Sequence, residues 1–143
     1  MVTAKEKLEG FIDKLESLGY EIEPVSKKPQ VYRIDGELVN IRSRSRIDQR
    51  TRGRRLWYSV SFSVLQEVKW IIYLTTDSDH FIMLRSRFLD NLRDRMLPDS
   101  KNAGVGVFDI DWDNQFIVIK DGKLEPIEEY YYDLSDPRYY PSF

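Results

Sequence analysis

Between Ile41 and Leu56 the chain carries Arg42, Arg44, Arg46, Arg50, Arg52, Arg54 and Arg55 against one carboxylate, Asp48. A guanidinium is charged at any physiological pH, and its planar fork matches the oxygens of a phosphate in a way the lysine ammonium does not. Alternate residues of a strand point to the same side, so Arg42, Arg44 and Arg46 would form a row of cations. Trp57 and Tyr58 follow closely and offer aromatic faces on which an unpaired base could stack. The chemistry implied is contact with nucleic acid through its phosphates. The plain alternative is a solvated hairpin neutralised by the acid-rich segment from Lys120 to Phe143, which has six carboxylates and three basic residues.

Other groups carry weaker signals. Asp109, Asp111 and Asp113 alternate as carboxylates around a divalent ion can, but the segment lacks the glycine and the closing glutamate of a calcium loop, with Lys120 where that glutamate would stand. Asp and Asn at 111 to 114 are better explained as turn formers, so no metal is expected there. His80 is the single histidine, beside Asp79, and no nucleophile is near it in sequence; it reads as a surface or sheet-edge residue. The absence of cysteine excludes disulfides, thiolate zinc sites and cysteine nucleophiles. Glu6, Glu9, Asp13 and Glu16 read as the wet face of a helix, with Glu9 or Glu6 able to look toward a sheet edge.

These groups need a scaffold, and 143 residues, 41% hydrophobic and 32% charged, suit one domain with a single sizeable core. The formal net charge is only -2, so the basic segment is a local feature and not a property of the whole chain. The longest apolar run, Trp70 to Leu74, is far short of a membrane span, and no basic-then-apolar leader opens the chain; the expectation is a cytoplasmic protein with no membrane partner.

Thr3 and Glu6 fit a capping box ahead of Leu8, Phe11, Ile12, Leu15 and Leu18 at helical spacing, which predicts a helix from Ala4 to Leu18 ended by Gly19. A short strand at Tyr20 to Ile22 follows. Val31 to Ile34 and Leu38 to Arg46 predict a hairpin turning at Asp35 and Gly36, its second strand half-buried with Val39 and Ile41 inward and Asn40, Arg42, Arg44 and Arg46 on the other face. Leu56 to Phe62 predicts a strand, Val64 to Glu67 a short helix, and Lys69 to Thr75 a central strand buried on both faces. A strand at Phe81 to Leu84 and a second long helix capped by Ser86, with Leu89, Leu92 and Met96 inward, complete this half. Val105 to Ile110 and Phe116 to Ile119 predict a C-terminal antiparallel hairpin, with a further strand from Leu124 to Ile127. The tail, residues 128–143, is aromatic enough to pack on its own domain or a neighbour.

The order of elements from Ala4 to Met96 resembles the restriction-endonuclease-like nuclease superfamily. That resemblance implies a mixed α/β fold, a central sheet flanked by helices, acting on DNA phosphodiesters with magnesium. It also implies a carboxylate near the start of the hairpin and an acid, any residue, lysine triplet on its second strand. The matching positions here are Gln30 and the triplet Asn40, Ile41, Arg42, so each depart from the pattern. Neutral amides are poor ligands for magnesium beside phosphate, and arginine is a poor base for activating water. The expectation is therefore a non-catalytic nucleic-acid-binding protein, DNA before RNA, with no cofactor and possible homodimerisation. One alternative is a magnesium-dependent endonuclease whose acid is displaced to Glu37, with Arg42 as electrostatic partner and Glu9 completing the site. Another is a protein-binding subunit of a larger assembly.

Overall fold

The computed structural model describes residues 4–27, 30–43, 55–74, 79–112, 115–118, 124–126 and 130–143, with the backbone alone at 55–57 and 124–125. Helix α1 (Ala4–Ser17) buries Leu8, Phe11 and Leu15, the spacing its apolar pattern predicts. It ends at Gly19, whose φ of 100° is a left-handed position suited to a residue without Cβ. Strands β1 (Ile22–Lys27), β2 (Gln30–Ile34) and β3 (Glu37–Arg42) form an antiparallel meander. The β2–β3 turn places both Asp35 and Gly36 at positive φ, 48° and 85°, as a two-residue turn matched to strand twist requires.

The chain then builds β4 (Arg55–Ser61) and a single-turn helix α2 (Phe62–Leu65) before returning as β5 (Trp70–Leu74), parallel to β3. Strand β6 (His80–Arg85) pairs antiparallel with β5. The C-terminal β11 (Tyr131–Asp133) closes on β6, giving a six-stranded mixed sheet in the order β1-β2-β3-β5-β6-β11. The predicted second long helix is shorter than its periodicity suggests. Helix α3 (Ser86–Asn91) passes into a 3-10 turn at Arg93–Arg95, and Arg85, not Ser86, occupies the cap. Leu89, Leu92 and Met96 are nevertheless all buried, because the tightened turn still presents them to one side.

Strand β4 belongs to a second sheet. It pairs with β8 (Val105–Asp111) along its whole length, and β8 in turn pairs with β9 (Phe116–Val118), followed by β10 (Leu124–Pro126), while β7 (Leu97–Pro98) pairs with the start of β8. The expected C-terminal hairpin is present, but as part of this five-stranded sheet and not as an appendage. Alternation along β5 divides the interior. Trp70, Ile72 and Leu74 join α1 in one core, whereas Ile71 and Tyr73 join Tyr58, Val60, Phe108, Ile110 and Trp112 between the sheets. The fold is thus a mixed α/β arrangement in which α1 covers one face of the central sheet, and α2, α3 and the second sheet cover the other.

Gly106 lies where β7, β8 and β4 meet. A Cβ there would stand 2.8 Å from the Phe62 ring and 2.9 Å from the Met96 sulfur. Gly106→Val is expected to destabilise the protein by about 1–3 kcal/mol through overpacking, read as a lower midpoint in urea denaturation; an unchanged midpoint would show that Phe62 and Met96 yield freely.

Candidate nucleic-acid interface

Strand β3 ends at Arg42, on the Asn40 side of the pleat, and that side is covered. Asn40 is 2% exposed, and Arg42 is half-buried, its Nη2 donating to Ser59 Oγ of β4 at 2.6 Å. The open arginine face expected from strand alternation is therefore corrected at these two positions. Alternation reports which residues share a face, not that a second sheet packs over it. Across the parallel pair Arg42 stands opposite Tyr73, whose buried hydroxyl has no hydrogen-bond partner among the described residues. Burial pushes that phenol up, and the neighbouring Arg42 charge acts the other way.

A cleft of about 280 Å³ lies at this strand end, lined by Lys5, Gln30, Arg42 and Ser43 above Leu8 and Ile41, while the Arg42 guanidinium is engaged by Ser59. Ser43 Oγ donates to the Ala4 carbonyl at 3.0 Å and ties the end of β3 to the start of α1. Asn40 Nδ2 donates to the Gln30 carbonyl at 2.8 Å and fixes the neighbouring strand at the cleft's base. Among the described lining residues the charged ones are Lys5 and Arg42, both cations. Such a cleft can receive a phosphate oxygen or another small anion.

The remaining predicted residues divide. Gln30 and Arg42 both border the cleft, and Asn40 reaches the Gln30 backbone carbonyl. Glu37 does neither: it opens β3, five residues and roughly 16 Å of strand from Arg42, and its carboxylate pairs with Lys69 at 3.3 Å. The combination of Glu37 and Arg42 as one catalytic pair is corrected accordingly, since the two ends of a strand cannot meet at one phosphate. Glu9 is exposed on α1 near Tyr32, whose phenol is pushed up by burial and by that carboxylate. Tyr58 is also corrected as a stacking platform: it is 2% exposed, and its hydroxyl donates to the Leu74 carbonyl at 2.7 Å. Trp57 and Arg55 pair through their backbones with Asp109 and Asp111. Arg44, Arg46, Arg50, Arg52, Arg54 and Asp113 lie outside the described residues, and among the described ones no group of three or more acidic or histidine side chains could hold a metal ion.

Sequence reasoning missed a second polar locus. His80 is interior to the sheet, between β5 and β11. Its Nε2 stands 3.1 Å from Asp133 Oδ2, and its ring stacks on Tyr131 with centroids 5.7 Å apart. Asp133 Oδ1 accepts from the Ser135 amide at 2.8 Å and from its hydroxyl at 2.6 Å. The signal was the alternation of Tyr131 and Asp133 in the tail, which shows as a strand only once β6 offers it an edge.

Compared with protein-family models, curated proteins and solved structures, the chain gives no significant match.

Burial alone would raise the Asp133 carboxyl, but the Ser135 donors and His80 outweigh it and hold it below the ordinary value of 3.8. A carboxyl depressed by folding contributes stability that is complete above that ordinary value and lost as pH falls through the folded one. Asp133→Asn is expected to be less stable than the parent near neutrality. The gap in thermal midpoint should narrow below about pH 4; a gap independent of pH would assign the loss to packing.

Proposed function

We propose that this chain is a nucleic-acid-binding protein, non-catalytic, on a core akin to the restriction-endonuclease-like fold. The observation that carries the reading is the cleft at the end of β3, bordered by Lys5 and Arg42 beside Gln30 and Ser43, with no acid among the described lining residues. It lies where the chain enters the arginine-dense sequence from Arg44 to Arg55. A backbone phosphate in the cleft would set the register of the strand, and the following arginines would extend the contact along it. The parallel pairing of β3 with β5 in an otherwise antiparallel sheet, backed by α1, supports the kinship in fold. DNA is the preferred polymer on that kinship, since phosphate contacts alone do not separate DNA from RNA.

Fluorescence anisotropy with labelled single-stranded and duplex DNA and RNA, across a salt series and with or without magnesium, tests the proposal. Affinity is expected to fall steeply with salt, the nucleic acid staying intact. Lys5→Gln and Arg42→Gln should each flatten the log–log salt slope by about 0.7–0.9. Absence of binding at low salt would overturn the reading. Cleavage that depends on magnesium would replace it with a nuclease whose acids lie elsewhere.

A further inference from the structure

Between the edge strand β11 and the β8–β9 turn lies a cavity of about 420 Å³ lined by Gln115, Tyr131, Asp133 and Tyr139. Tyr131 and Asp133 are alternate residues of one strand and therefore project to the same side, roughly 7 Å apart. Gln115 arrives from the turn in a left-handed conformation, φ 60°, held by its amide donating to the Asp111 carbonyl at 2.8 Å. Tyr139 comes from the 3-10 turn Pro137–Tyr139 and is 49% exposed. The described lining is thus two phenol rings, one carboxylate and one amide.

That set has a definite chemical preference. Aromatic faces attract cations through their quadrupole, and a carboxylate supplies the compensating charge. An anion would meet Asp133 without a facing cation among the described lining residues. The ring of Tyr139 already takes one cation, since the Arg138 guanidinium lies 5.5 Å from its centroid while bonded to Asp136. Asp133 is braced for the role: Ser135 engages Oδ1 twice, and His80 engages Oδ2 once. Each carboxylate oxygen has two lone pairs, which leaves Oδ2 one for a ligand.

We infer that this cavity is a binding site for an organic ammonium group, held between the Tyr131 and Tyr139 rings with its charge against Asp133. The site stands apart from the arginine-lined cleft, about three strand spacings or roughly 14 Å away along the row Arg42, Tyr73, Ile82, Tyr131. It does not depend on the nucleic-acid reading. A free amine and a lysine side chain of a partner both supply such an ammonium, and the chemistry of recognition is the same.

Titration by nuclear magnetic resonance and calorimetry should use the whole chain with choline, cadaverine and Nα-acetyllysine amide as probes. The neutral carbon isostere of choline, with tert-butyl in place of trimethylammonium, serves as control. Saturable binding of at least one cation is expected, with shifts centred on Tyr131 and Tyr139 and none for the isostere. Tightest binding by the blocked lysine would point to a protein partner; tightest binding by choline or cadaverine would point to a free cation. Tyr139→Ala, on an exposed turn, should weaken binding by about tenfold, while Tyr139→Phe should retain it. The inference is overturned if no cation binds in the millimolar range, if the isostere binds equally well, or if Tyr139→Ala binds like the parent.

Discussion

Strand β5 has no wet face, and the rest of the molecule is arranged around satisfying it. All five of its residues are buried, with Trp70, Ile72 and Leu74 directed toward α1 and Ile71 and Tyr73 toward the second sheet. Its backbone is paired on both edges, by β3 and β6. Because the β3 pairing is parallel, the chain cannot return through a tight turn and must cross over. Residues 43–69 make that crossover, and they include both the arginine-dense sequence and β4. The basic segment thus begins at the carboxyl end of a central strand, where the topology requires a long connection that leaves the sheet.

The same crossover explains why the space between the sheets is aromatic. Tyr58 on β4 meets Tyr73 edge-on at 5.0 Å and Trp112 at 6.3 Å, and Trp112 meets Tyr131 at 6.4 Å. Large rings span the gap between two sheets about 10 Å apart, and their edge-to-face contacts add to the area they bury. The arrangement leaves the Tyr73 hydroxyl and the Trp112 indole nitrogen buried without partners among the described residues. Each such group opposes folding by about 1–3 kcal/mol, which the surrounding apolar burial must offset. Arg42 at one end of this layer and Tyr131 and Asp133 at the other are only partly buried.

Local signals in the sequence mapped closely onto local structure. The helix spacing of Leu8, Phe11 and Leu15, the Asp35–Gly36 turn and the apolar run at 70–74 each follow from one residue's neighbours, and each stands as expected. What escaped was set by contacts far along the chain. The pairing of β4 with β8 joins residues about fifty apart and decides that Asn40 is covered; nothing in the alternation of β3 carries that information. Likewise Glu37 satisfied no turn rule and so invited a catalytic reading, while its partner Lys69 is brought beside it only by the parallel pairing. That Gln30 and Asn40 are neighbours was legible because both lie within one hairpin. The cavity at Asp133 was not, because it gathers residues from β11, the β8–β9 turn and the tail.

The amide at position 40 can be understood from the fold itself. Asn40 uses its side-chain N–H to satisfy the Gln30 carbonyl from a site almost closed to water. An ionised aspartate there has only acceptors, so it would face that carbonyl as a repulsive pair and lose its own hydration. Only a protonated carboxyl could make the same bond, and a protonated carboxyl does not bind a hard divalent ion. A carboxylate at 40 would therefore need the strand end rebuilt, with another donor for Gln30 and water admitted beneath Arg42. With the asparagine, the hairpin end is held from within, and the polar residues that line the cleft beside it are Gln30, Ser43, Lys5 and Arg42. The arginine's own charge is held at the strand end by its bond to Ser59.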